Sequence, residues 1–350
     1  MSGMGSLYRS IRTGVAPAAK SLLFKSGALS ALRAVRPSNR LAILRYHAIC
    51  GPGGYRYASP DICISPQAFE AHAGYLAANY NVLSLPDAVK AFRHGRAVPA
   101  NAVAITFDDG YADNLAAART LARHGLTATF YITAGCLADG EPFWPSELRY
   151  LIGAIRDERL RLNAAGVKLD MDLTTLDARS EAVRQLTKTF KRHPIRVREE
   201  LRAQLRARAS GVEMPGIMLT WDEVREMHAL GMTIGSHTMT HPNLPNAGLA
   251  AARQELVASR ARLEAEVGVP VTMFSYPNGG AERYLTPLVQ EIVREVGYEA
   301  ATTSRNAFAS RASDLYALER IEVEESLEEL VFALEVERFA FKPEARSAAS

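Results

Sequence analysis

From residue 41 onward, short apolar runs alternate with stretches whose apolar residues recur at helical spacing. The runs predict strands at 41–46, 81–85, 103–107, 128–132, 232–235, 271–276 and 300–303. Helical periodicity between them predicts helices at 66–79, 114–124, 221–230, 249–267 and 286–296. Strands apolar at nearly every position are covered on both faces, which argues for a parallel sheet wrapped by helices. Seven or eight such units imply an α/β fold, a distorted (β/α)7–8 barrel spanning 39–343. An Arg-rich stretch at about 147–210 breaks this rhythm and reads as a helical insertion, and 344–350 reads as a disordered tail.

The first 38 residues follow another pattern. Leu7, Ile11, Val15 and Leu22 fall at roughly helical spacing, broken by Pro17, with a second apolar stretch at 29–35. No acidic residue precedes Asp61, whereas nine of the 41 basic residues do, leaving 32 basic against 38 acidic in the remainder. A basic amphipathic leader of this kind can lie on an anionic membrane surface, here the inner face of a cytoplasmic membrane. It can equally be a loosely docked terminus, a transit segment, or a stretch whose residues 29–35 pack on the barrel. Lys20, Lys25 and Arg33 interrupt the apolar core that a secretory signal needs, so the expected setting is cytoplasmic.

At 350 residues with 48% hydrophobic and 23% charged, the chain can bury a barrel-sized core. Its net charge of +3 is too small to point to nucleic acid. The three cysteines (Cys50, Cys63, Cys136) read as small buried hydrophobes; one disulfide is open to them, but nothing in the sequence requires it.

Four segments begin where a predicted strand stops, the end from which barrel enzymes build their sites. Thr106-Phe107-Asp108-Asp109-Gly110 sets two adjacent carboxylates at a strand end, where they repel unless a cation or proton relieves them. An ordinary Asp-Asp-Gly turn is the bland alternative. His237-Thr238-Met239-Thr240-His241 places two of the eight histidines four residues apart, able to chelate one ion or simply to sit on the surface or in the core. Tyr276-Pro277-Asn278-Gly279 forms a turn whose backbone N–H groups can face an oxyanion, or an ordinary loop. His47 ends the first strand, either as an acid or as a residue packed at the rim.

Together these segments resemble the polysaccharide deacetylases (carbohydrate esterase family 4, the NodB-homology domain). Thr106–Gly110 is similar to the TFDDG motif, His237–His241 to H-[ST]-x-x-H, and Tyr276–Gly279 to the proline-containing third motif. The resemblance implies a metal-dependent hydrolase that removes an acyl group, usually acetyl, from an N-acylated amino sugar in a polysaccharide or lipid-linked saccharide. Asp109, His237 and His241 would bind one divalent ion, and Asp108 would be the general base. Zinc suits this donor set first, with Co2+, Ni2+ or Fe2+ also compatible. The third motif lacks the family's usual arginine, and no late histidine follows an apolar strand. Tyr46-His47 resembles the permuted branch containing the biofilm poly-N-acetylglucosamine deacetylases, which implies His47 as the acid. Arg320 is a candidate for the missing guanidinium, a surface ion pair being its alternative. A formamide or cyclic imide hydrolase and a non-catalytic saccharide-binding scaffold are the competing functions.

Overall fold

The computed structural model describes residues 15–278 and 284–339. Its strands are β1 (Leu41–Tyr46), β2 (Asn81–Val82), β3 (Ala102–Phe107), β4 (Thr129–Ile132), β5 (Arg159–Ala164), β6 (Val167–Asp172), β7 (Thr233–Ser236), β8 (Met273–Ser275), β9 (Ala300–Thr302) and β10 (Ile321–Glu322). Eight make one parallel sheet in the order β10-β1-β3-β4-β7-β8-β9, with β2 also on β3. Helices follow most strands, giving the expected distorted (β/α) barrel, a curled parallel sheet.

Alternation along each strand sorts its side chains between two cores. Ala42, Leu44, Val103, Ile105, Phe130 and Phe274 pack beneath the outer helices. Leu41, Ile43, Ala102, Ala104, Tyr131, Met273 and Ala300 share the opposite, inner face with the helix Leu85–Arg93. Successive strand residues point to opposite sides, so this division is what a sheet buried on both faces requires. Curling demands small inner residues, and a Cβ at Gly235 would sit 2.6 Å from the Tyr131 ring.

The expected strand over 81–85 stops at Val82 because Ser84 starts a helix. Its hydroxyl accepts from the Asp87 N–H, and Pro86 suits the first helical turn. The sheet edges at β9 and β10 are bridged by the segment 315–320. Leu318 N–H donates to Ala301 O and Thr303 N–H to Leu318 O, at 2.9 and 2.8 Å.

The stretch expected to be wholly helical contains a hairpin as well. β5 and β6 pair antiparallel around Ala165 and Gly166, both at positive φ, and Leu160, Leu162 and Ala164 face inward. With Trp144, Leu151, Leu186, Phe190 and Leu201 they form a second core, distinct from the barrel's. Strict period-2 burial over six residues is what this Arg-rich segment conceals, since its exposed positions carry Arg159, Arg161 and Asn163. Buried Glu147 accepts from Arg202 Nε at 2.7 Å and from Arg206, linking the helices Trp144–Ala154 and Ile195–Arg208. Glu147→Ala leaves the buried Arg202 charge with Glu199 and the Pro142 carbonyl, and should cost about 3 kcal/mol. Urea unfolding monitored by tryptophan fluorescence measures this; a change under about 1 kcal/mol would mean the network contributes little.

The leader's described part is docked. Leu29 packs against Val331 and Phe332 of the helix Leu327–Glu335, and the Lys20 ammonium pairs with Glu329 at 3.1 Å. Arg33 donates to Asn79 and lies over the Tyr80 ring. Packing of 29–35 on the barrel, one of the alternatives for this region, is therefore the arrangement found. Leu7 and Ile11 lie outside the described residues, as does the expected tail. Among the described residues, no helix is long and apolar enough to cross a membrane.

Candidate active site

The inner-face parity of the strands continues past their ends and delivers the polar groups. Residues 41, 43 and 45 lead to His47; 102, 104 and 106 lead to Asp108; 233 and 235 lead to His237. Asp109 would point away by the same rule. Its φ of 81° breaks the alternation, so both adjacent carboxylates serve one cavity. Thr238, His241 and Asn278 also have positive φ, so four of the six such non-glycine residues among those described lie in the three motifs. Backbone strain concentrated in this way marks functional loops.

Asp108 meets Arg320, which arrives from the segment that bridges the sheet edges. The guanidinium donates to both carboxylate oxygens at 2.7 Å, to Thr106 Oγ1 at 3.2 Å, Ser275 Oγ at 3.1 Å and Thr303 O at 2.8 Å. All five N–H donors are thereby used, which fixes the fork although it is only 1% exposed. Arg320 is thus at the bottom of the site and not on the surface. Burial acts to raise the Asp108 carboxyl, but Arg320, followed by His237 and His47, holds it well below the usual range. His47 Nε2 stands 3.8 Å from Asp108 Oδ2, and the His47 carbonyl accepts from Asn114. Burial lowers the His47 imidazole against the pull of Asp108 and Asp109.

Asp109 Oδ1 lies 3.4 Å from both His237 Nε2 and His241 Nε2, and the three ligand atoms fall within 4.8 Å of one another. That separation is long for a hydrogen bond. It fits two donors each about 2.0–2.1 Å from a shared tetrahedral ion, whose edge is roughly 3.3–3.4 Å. His237 Nδ1 donates to Ser275 O at 2.7 Å, leaving the Nε2 lone pair facing Asp109. Burial lowers the His241 imidazole to about 3, so it is neutral and can ligate. Two imidazoles and one carboxylate, buried and convergent, fit a divalent cation.

Nothing local to the motif announces what holds the histidine loop. Glu255, in the helix Leu249–Val267, accepts from the N–H groups of Met239 and Thr240 and from the Thr240 hydroxyl at 2.7–2.9 Å. Arg198, from the insertion, donates to Thr240 O and Oγ1. Trp144 donates to His241 O at 2.9 Å, and the Phe143 ring stands on the imidazole. Lys191, also from the insertion, lies near enough for its ammonium to act on Asp109 and His241, and Asn243 and Asn246 hold its carbonyl. A tryptophan, one of two in the chain, was the only compositional hint.

The third motif divides. Tyr276 N–H is spent on Thr302 O at 3.1 Å and its hydroxyl on Tyr316 O at 2.9 Å, both within the core. Pro277 is buried and has no N–H, while Asn278, half-buried, adopts a φ of 62°. The glycines that follow lie outside the described residues.

The sequence pattern of polysaccharide deacetylases matches residues 95–301. The chain belongs to the polysaccharide deacetylase family. Membership makes it a hydrolase of the class that acts on non-peptide C–N bonds. A relative, YxkH of Bacillus subtilis strain 168, is 22% identical over 300 residues, covering 85% of this chain and 76% of its own, and carries the family name provisionally. Among solved structures, Streptococcus pyogenes deacetylase PplD in complex with acetate aligns at TM-score 0.56 and 18% identity, covering 85% of this chain and 97% of that one. IcaB from Ammonifex degensii aligns at 0.55 and 18%, with the same shares. At these identities the two structures speak for the fold. His47 and Arg320 both fall outside the span that the family pattern covers, one on each side.

Proposed function

We propose that this deacetylase removes the acetyl group from an N-acetylated amino sugar within a polysaccharide or lipid-linked saccharide, using Asp108 as base and His47 as acid. The observation that carries the reading is the contact of an Arg320-anchored carboxylate with His47, beside a convergent Asp-His-His cluster. Asp109, His237 and His241 would hold one divalent ion, zinc by donor type, which supplies Lewis acidity and a more acidic water.

Arg320 keeps Asp108 ionised and aimed, so it can take a proton from the attacking water as the C–O bond forms. The Asn278 N–H, following Pro277, would face the developing oxyanion. His47 takes over the proton held on Asp108 across their 3.8 Å separation and gives it to the amide nitrogen as the C–N bond breaks, because an amine anion is not a viable leaving group. Acetate and the free sugar amine leave, and one water is consumed.

The leader bears on the choice between a free and a lipid-linked saccharide. Its docked helices leave Leu22, Lys25 and Val35 exposed, side chains that a lipid surface could meet. Mass spectrometry of neutral, polymeric and lipid-linked N-acetylamino sugars with metal-loaded enzyme should show loss of acetyl from one class. Turnover confined to formamides or cyclic imides would replace this reading, and no turnover of any acyl substrate would favour a binding scaffold. In the same assay His47→Ala should lower amide hydrolysis by about a hundredfold to a thousandfold, yet an activated aryl acetate by less than about tenfold. Equal losses on both would return His47 to a packing role.

A further inference from the structure

The residues that follow His47 form a loop closed by backbone bonds: Ala48 N–H donates to Ile62 O at 3.2 Å and Ile64 N–H to Ala48 O at 3.0 Å. Inside it, Cys50 and Cys63 face each other with Sγ atoms 3.0 Å apart. Non-bonded heavy atoms sit best at roughly 3.5–4.0 Å, and sulfur is larger than carbon, so two thiols crowd at this distance and a covalent bond relieves them. Both are buried, at 9% and 8% exposure, among Ala48, Ala58 and Tyr111, and Gly54 leaves them room, since a Cβ there would lie 2.4 Å from Cys50 Sγ.

We infer that Cys50 and Cys63 are a disulfide site, whose bond closes the segment 50–63, beginning three residues after His47. This rests on the cysteine geometry alone and stands whatever the substrate. The chemistry requires a two-electron oxidant, here a small-molecule disulfide. The Cys50 thiolate attacks one sulfur of that molecule and releases a thiol; Cys63 loses its proton and attacks Cys50 Sγ, releasing the second thiol. Two cysteines are oxidised to one cystine, and one small disulfide is reduced to two thiols. Cys50 is the attacking group because it faces Cys63 at 3.0 Å and the hydrogen bond the two share lowers its thiol while raising that of Cys63. Cys136 stays a thiol, since it donates to Met239 O and is pushed by burial to about 12. Such bonds persist in oxidising compartments, which sets this loop against the cytoplasmic setting expected from the leader.

The test is to incubate the full chain with oxidised glutathione, quench with acid, and titrate thiols in denaturant. One free thiol of the three is expected, against three after dithiothreitol. Arg56 lies between the two cysteines, so non-reduced trypsin digestion should yield peptide 46–56 joined to 57–90. The midpoint of thermal unfolding should fall on the order of 5 °C on reduction, and Cys50→Ser should abolish that difference. Three titratable thiols after oxidation, or a bond that includes Cys136, overturns the assignment.

Discussion

His237→Ala is expected to lose most bound metal and, with it, activity by on the order of a thousandfold, the scale of several kcal/mol of lost Lewis-acid stabilisation. His237 has one nitrogen committed to Ser275 O, so the other is its single contribution to the cluster with Asp109 and His241. Removing it leaves two donors, too few to hold a divalent ion in a site that must also keep positions open. Elemental analysis after gel filtration reads the metal, and a thermal unfolding scan separates site loss from collapse, since the residue is buried. Full occupancy in the variant would show that the ion, if bound, is held elsewhere.

Asp108→Asn should behave differently: metal kept, turnover reduced by about a hundredfold or more, the usual range for a general base. The amide matches the carboxylate in shape but offers Arg320 one acceptor oxygen where there were two, and it cannot take the water's proton. Arg320→Met should follow Asp108→Asn in activity and in metal content, because the guanidinium acts on the reaction through that carboxylate. Loss of metal in Asp108→Asn would mean that the adjacent carboxylates have exchanged roles. A fully active Arg320→Met would reduce the buried fork to a structural cross-tie between the two ends of the sheet.

Much of this site was legible because its parts are local. Strand ends at 46 and 107, and at 235 where the strand runs to Ser236, follow from apolar runs, and the motifs that trail them inherit the inner face by a period of two. Two histidines four apart and two carboxylates in sequence are patterns that a single stretch of chain can display. Ser84, Pro86 and Asp87 spell the start of the helix Leu85–Arg93, yet the apolar run from Val82 continues across that cap into Leu85 and reads as strand. The β5–β6 hairpin is hidden in the sequence because its arginines mask a half-buried alternation.

Patterning along the chain sets the alternation of strands and helices that makes a parallel barrel, and each of the three motifs at strand ends is displayed within a few residues. Which distant groups complete them follows from the folded arrangement alone. Arg320 lies 212 residues from Asp108 and reaches it through a two-residue strand with no periodicity to detect. Glu255, Arg198 and Trp144 brace the histidine loop from a helix and an insertion whose sequences serve their own packing first. The basic leader, which charge alone could send to a membrane, has Lys20 and Arg33 engaged with Glu329, Asn79 and Glu335, since partners for a charge are chosen by the folded surface that faces it.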